Sequence, residues 1–381
     1  DSTAINADGE MPLHYAMQVG NIEMAELLIP RMGDKCDKGD RSGNTPLNLA
    51  VQQGHQQVAL FLLDHGANPL AVGPRGRTPL HEAARQGNLD LLKRLSNAVP
   101  PLTLVQPDAD GNTPLHLAVC NYSVKDRSWE SDNIAVVEWL LSVARADPNI
   151  PDEIGYTPLH EAASQGLAKI MKILLRNGAD PKRRDREGRV PLHVSAEHGD
   201  VETAKILFEG TGGLNLRDKE GMTPLLLSVY SRHSRILKMV KELLLLSADP
   251  TETDIQGNTP LHLTVPFSGA DMRADCDEQK KGFIAVDIAE LLLKNGAEID
   301  ARNKEGMTSL QVAMQMGMGM GMGMGMKIDY YSVRNNALIA CFLQHGESIG
   351  RDFARPGFTG LLTLCPTVLE NAVVIGAKFP V

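Results

Sequence analysis

The sequence is poor in aromatic residues, which fill only 4% of its 381 positions. Any core must therefore be built from Leu, Ala, Ile, Val and Met, and the hydrophobic share of 43% is enough to exclude disorder by composition. Basic excess is also missing. There are 38 Lys and Arg against 47 Asp and Glu, a net charge of −9. Nucleic-acid binding, which needs cations against phosphates, is thus not expected. No apolar run reaches the ~18 residues of a membrane span. The five cysteines (Cys36, Cys120, Cys276, Cys341 and Cys365) are odd in number and scattered, and none forms a C-x-x-C pair. Neither a disulfide framework nor a zinc module is expected, and a reducing, cytoplasmic setting is. G-x-x-x-x-G-K-[ST], H-E-x-x-H and G-x-S-x-G are absent. Catalytic residues, a metal and a cofactor are accordingly not expected.

What is present is repetition. Met11-Pro12-Leu13-His14 returns as Thr45-Pro46-Leu47-Asn48, Thr78-Pro79-Leu80-His81, Thr113-Pro114-Leu115-His116 and Thr157-Pro158-Leu159-His160. Val190-Pro191-Leu192-His193, Thr223-Pro224-Leu225-Leu226, Thr259-Pro260-Leu261-His262 and Thr308-Ser309-Leu310-Gln311 complete nine copies. The second position of the motif advances by 34, 33, 35, 44, 33, 33, 36 and 49 residues. A T-P-L-H-x-A motif at a period near 33 is the sequence mark of ankyrin repeats. Over residues 1–349 the chain strongly resembles that family.

The resemblance implies a mostly α-helical ankyrin-repeat α-solenoid. Its unit is a β-hairpin followed by helix–turn–helix, stacked in a curved array of nine clear repeats. Residues 350–381 are expected to form a degenerate tenth unit or cap, since Gly357 to Leu364 reads as a worn hairpin and inner helix and a last apolar face needs closing. Ile5 to Gly9 reads as the link from a preceding repeat, so further residues upstream are expected.

Repeat five shows why the pattern folds. Thr157 is suited to cap a helix, and Pro158 fits a first turn where no amide partner is lost. Ala162 and Ala163 are small, which lets neighbouring inner helices approach closely. Gly166 ends that helix. Leu167 to Leu175 then carries apolar residues at i, i+3, i+4 spacing, the mark of an amphipathic outer helix. The six motif histidines lie in separate repeats, with stacked helices ~8–10 Å apart, too far for shared metal ligation. The resemblance implies that they hydrogen-bond within and between hairpins.

Three repeats are long. The extra residues fall near 122–132, 266–282 and 315–332, between inner and outer helices. That places them on the edge away from the hairpin tips, as surface loops. Trp129 in the first is the candidate for a separate contact surface. The third contains the alternating tract Met316 to Met326, whose composition suits a flexible low-complexity loop or a soft surface for an apolar partner, and whose M-x-M spacing of thioethers would suit Cu(I).

Function follows from the resemblance, which implies non-catalytic recognition of a partner protein or peptide along the concave hairpin and inner-helix groove. The hairpin of repeat six reads Lys182-Arg183-Arg184-Asp185-Arg186-Glu187-Gly188-Arg189, and repeat seven places Arg217 and Lys219 at equivalent positions. An acidic or phosphorylated peptide is the expected ligand of Arg183, Arg184, Arg186, Arg189 and Arg217. Tyr156 and Met222 supply apolar contacts beside them. Two other settings fit the same residues. One is the recognition arm of a larger protein, whether enzyme, channel or pathogen effector. The other is a ubiquitin-ligase substrate adaptor, because Leu361 to Leu369 loosely resembles an elongin-binding box, although Pro366 interrupts that helix.

Overall fold

The structure is a computed structural model. It describes residues 2–32, 36–120, 130–211, 213–231, 235–265 and 278–319, with Leu338, Ile339, Cys341, Phe342 and His345. Trp129, the tail 350–381 with its box-like segment 361–369, and the greater part of each long insertion lie outside the described residues.

Helices alternate along the chain. The inner ones are α1 (Pro12–Val19), α3 (Pro46–Gln52), α5 (Pro79–Arg85), α7 (Pro114–Val119), α9 (Pro158–Gln165), α11 (Pro191–His198), α13 (Pro224–Ser231), α15 (Pro260–Leu263) and α17 (Ser309–Gly319). The outer ones are α2 (Ile22–Leu28), α4 (Gln56–Asp64), α6 (Leu89–Asn97), α8 (Glu130–Ser142), α10 (Ala168–Arg176), α12 (Val201–Thr211), α14 (Ile236–Leu245) and α16 (Glu278–Lys294). Each inner helix from α1 to α15 packs on the outer helix that follows it, and within a unit inner helices pack on inner helices. The chain divides into two compact units, Asp1–Arg186 and Glu187–Val381, so the boundary passes through the sixth hairpin.

The local chemistry is as expected from the motif. In repeat five Thr157 is the N-cap of α9, Pro158 stands in its first turn, and Gly166 closes it in the left-handed conformation at φ 69°. Ala162 and Ala163 are fully buried, and α10 buries Ala168, Ile170, Met171 and Leu174 on one stripe. Burial of such a Leu is worth roughly 1.5–3 kcal/mol.

Three details differ from the sequence reading. First, the hairpins are tight turns; among the described residues no strand forms, because only one or two residues flank each tip. Second, the insertions are shorter at their edges. Helix α8 begins at Glu130 and α16 at Glu278, both inside the expected loops. Third, α17 runs on through Gly319, so the start of the Met-Gly tract continues an inner helix. Beyond it, Leu338, Ile339, Cys341 and Phe342 are helical and buried, at the place expected for the ninth outer helix. Burial beside Glu290 pushes the Cys341 thiol up to about 11, so it stays a thiol.

Candidate partner-binding surface

Every hairpin, or finger, but the third opens on one plan. An Asp or Asn opens it, and its Oδ1 accepts backbone N–H groups two and four residues on. Asp152 accepts from Ile154 at 3.0 Å and Tyr156 at 2.7 Å; Asp218 accepts from Glu220 at 2.9 Å and Met222 at 2.8 Å. Burial raises the pKa of both carboxyls, and those same N–H groups oppose the rise. Backbone pairs such as Asp152 N–H to Tyr156 O, 2.7 Å, close the turn.

Consecutive fingers are joined by one rung, except the second and third, where Pro74 stands at the donor position. The residue after the opening Asp donates its N–H to the carbonyl two residues into the preceding finger. Ala109 donates to Arg75 at 2.8 Å, Glu153 to Asp110 at 3.0 Å, and Arg186 to Ile154 at 3.0 Å. In the second unit Lys219 donates to Glu187 at 2.9 Å, Ile255 to Glu220 at 2.9 Å, and Lys304 to Gln256 at 2.9 Å. Such a bond contributes about 0.5–1.5 kcal/mol net. Gly155, at φ +85°, has no room for a side chain, since a Cβ there would stand 2.7 Å from the Arg186 amide nitrogen.

The motif histidines lock inner helices to fingers. His116 shows the pattern. Its Nδ1 accepts the Thr113 N–H at 3.2 Å and the Thr113 hydroxyl at 2.9 Å, and Nε2 donates to the Tyr156 carbonyl at 3.2 Å. His262 repeats it with Thr259 and the Met307 carbonyl, 3.0 Å, and His14 with Met11 N–H and the Asn44 carbonyl, 3.2 Å. Both ring nitrogens are used only by the neutral tautomer with the proton on Nε2. Burial lowers the pKa of His14, His81 and His262, and brings His116 down to about 4. Among the described residues no three His, Cys, Asp or Glu side chains are grouped to hold a metal ion.

The predicted contact residues fall into two sets. Tyr156, Arg183, Arg184 and Arg186 belong to the first unit. Tyr156 stacks on His160 with centroids 5.2 Å apart and stays half-buried, while the three arginines are exposed. Arg189, Arg217, Lys219 and Met222 belong to the second unit. There the expected basic surface is weaker than the sequence suggested. Arg189 pairs with Glu197 at 3.1 Å, and Arg217 pairs with Glu252 while donating to the Thr253 carbonyl. Lys219 is exposed, but Met222 is only 7% exposed and supplies little contact area. Its carbonyl instead accepts from His193 Nε2 at 3.1 Å.

The sequence reading missed a buried ionic cluster in repeat three. Arg77 Nε donates to Asp108 at 3.0 Å, and its Nη1 lies 3.5 Å from Glu82, which also binds Arg85 at 2.7 Å. The Asp108 side chain is fully buried. The signal lay in the spacing of Arg77, five residues before Glu82, which directly follows the T-P-L-H motif.

With this geometry in place, the comparisons are direct. A family model described as ankyrin repeats in three copies matches residues 1–72, 127–214 and 192–272. A second, of many copies, matches 49–96 and 80–122, and a single-repeat model matches 256–304. The chain belongs to the ankyrin-repeat family. Ankyrin repeats are protein-binding units, so protein–protein interaction is its coarse role.

Among similar proteins, the B-cell lymphoma 3 protein of Homo sapiens is 28% identical over 205 residues, 46% of this chain and 45% of that protein. The nuclear factor NF-kappa-B p105 subunit of Gallus gallus is 31% identical over 172 residues, 44% and 16%. Palmitoyltransferase AKR1 of Lachancea kluyveri is 29% identical over 168 residues, 44% and 21%. The match thus spans less than half the length of each of these relatives. The solved ankyrin repeat domain of Bcl-3 aligns with a TM-score of 0.49 and 28% identity, over 62% of this chain and 94% of that one. No helix among the described residues is long and apolar enough to cross a membrane.

Proposed function

We propose that the chain is a non-catalytic recognition module that holds a partner protein or peptide against the fingers and inner helices of its array. One observation carries the reading. The stack is held by backbone rungs, Asp caps and buried histidines, while the side chains at the finger tips are turned to solvent. Residues that do not hold the fold are available for contact. In the first unit the exposed Arg183, Arg184 and Arg186 beside Tyr156 favour an acidic or phosphorylated segment, since guanidinium pairs bidentately with carboxylate or phosphate. The five scattered cysteines, with no C-x-x-C pair, suit a reducing, cytoplasmic setting.

The test is capture of partners from a lysate by the whole chain and by the variant Arg183→Glu, Arg184→Glu, Arg186→Glu. Loss of the captured proteins, with helicity unchanged by circular dichroism, is the expected result. Undiminished capture refutes the acidic-partner reading. A second reading, the recognition arm of a longer protein, draws on the partial span of the relatives; one of them is named as a palmitoyltransferase and another as a cation channel. Sequencing the full transcript decides it.

A further inference from the structure

The junction of repeats two and three departs from the common plan in four places at once. The third finger opens with Gly73 where the others open with Asp or Asn. Pro74 follows, and a proline has no N–H to place on the preceding finger, so the rung between the second and third fingers cannot form. Arg75 sits in the left-handed region at φ 58°, one of three non-glycine residues with positive φ among those described. The helix behind this finger, α3, carries Asn48 where the motif has histidine.

These departures surround a cavity of about 200 Å³ between α3 and the third finger, whose polar lining includes Asn44, Asn48, Gln52, Arg75, Arg77 and Glu82. Asn48 is only 5% exposed, and among the described residues neither its Oδ1 nor its Nδ2 has a hydrogen-bond partner. The shorter side chain fails to span to the next finger as the histidine rings do. The carbonyl at the histidine-accepting position of this finger, that of Arg77, accepts the Gly73 N–H at 2.7 Å, as the equivalent Tyr156 and Asn44 carbonyls accept theirs while also taking a histidine. Glycine at 73 is required for this arrangement, because a Cβ there would lie 2.6 Å from Asn48 Nδ2. A single water needs about 10–15 Å³, so the cavity admits the end of a side chain.

We propose that this cavity receives the primary carboxamide of an asparagine or glutamine side chain presented by a partner protein, paired two-to-two with the Asn48 amide. The argument is one of matching. Asn48 offers one donor and one acceptor side by side. A carboxylate only accepts, a guanidinium only donates, and an apolar group does neither; each leaves a buried polar atom unpaired at its full desolvation cost. A carboxamide satisfies both. Charge in the wall is largely balanced, since Glu82 is bound by Arg77 and Arg85, and Arg77 by Asp108. Arg75 is exposed and adds a cation, which makes a carboxylate the rival ligand. The inference deepens the proposed function, resting on the finger and inner-helix face being where the partner lies.

The test uses the full chain, isotope-labelled, and three probes: the N-acetyl, N-methylamide derivatives of glutamine, glutamate and leucine. The glutamine probe is expected to shift the backbone amide resonances of Gly73, Arg75 and Arg77, and in the native chain also the Asn48 side-chain amide, in a saturable way, at least tenfold more tightly than the other two. Asn48→Asp, which keeps shape but loses the donor, is expected to weaken that probe at least tenfold with the fold intact by circular dichroism. Asn48→His, which restores the motif ring, is expected to abolish the response. Equal response to all three probes, tighter binding of glutamate, or shifts that survive in both variants overturn the proposal. Partner capture through Arg183, Arg184 and Arg186 is measured separately. Undiminished capture by that triple variant, with the glutamine probe still bound at the cavity, refutes only the acidic-partner reading; loss of capture there, with no selective probe response, refutes only the cavity.

Discussion

Lowering the pH from 7 to 5 is expected to weaken the first unit, and His116 is the residue to follow. Its ring is 2% exposed and uses both nitrogens only when neutral. Burial brings the folded pKa down to about 4, against about 6.5 in an unfolded chain. The unfolded state therefore takes up the proton first. The stability contributed by the neutral ring is fully present above pH 6.5 and is lost as pH falls toward 4. A shift of this size amounts to about 3 kcal/mol in all, of which about 2 kcal/mol disappears between pH 7 and 5. Urea denaturation at several pH values measures it, comparing the native chain with His116→Gln, whose side chain can still cap Thr113. The variant is expected to start less stable and to show a pH slope shallower by that amount. His14, His81 and His262 shift the same way and remain in both proteins. Asp152 and Asp218 have raised pKa values, so their protonation favours folding as pH falls further and partly offsets the loss. Parallel pH profiles for the two proteins, or a His116 ring signal that titrates near 6.5, would refute the reasoning.

Two further outcomes test the finger construction. Gly155→Val forces a β-branched residue to φ +85° and drives a Cβ against the Arg186 amide; a loss of about 1–3 kcal/mol is expected in urea melts, and a neutral result refutes the close approach. Arg77→Leu leaves the fully buried Asp108 carboxylate without its cation, at an expected cost of about 3–5 kcal/mol. Adding Asp108→Asn to that variant should recover a good part of the loss, and no recovery would show that packing of the arginine stem matters more than its charge.

Most of the architecture was legible because one constraint is written nine times. Thr, Pro, Leu and His each answer a local requirement of the same helix start, and the spacing of the copies sets the stack. The chemistry of single positions was less legible. Met222 looked like an apolar contact, but its place after the tip turns it inward, where its carbonyl serves His193. Arg189 and Arg217 looked like ligands for an acidic peptide, yet each meets a carboxylate, Glu197 eight residues on and Glu252 in the next finger. Such pairings depend on which repeats stack, information that a local motif does not carry. Gly73, Pro74 and Asn48 were plain departures from the pattern, but the hole they leave is a three-dimensional property of their sum.

The rung between fingers has a direction. Each N–H donated in a rung points toward the lower-numbered repeat, and His14, His116, His193 and His262 reach toward the higher-numbered one. An ankyrin stack joined this way has polarity, like a filament with a plus and a minus end. The first finger of any such stack offers a donor, and the last offers an acceptor. Repeats add to either end in one orientation only, and two chains meeting head to tail could share a rung where two meeting head to head could not.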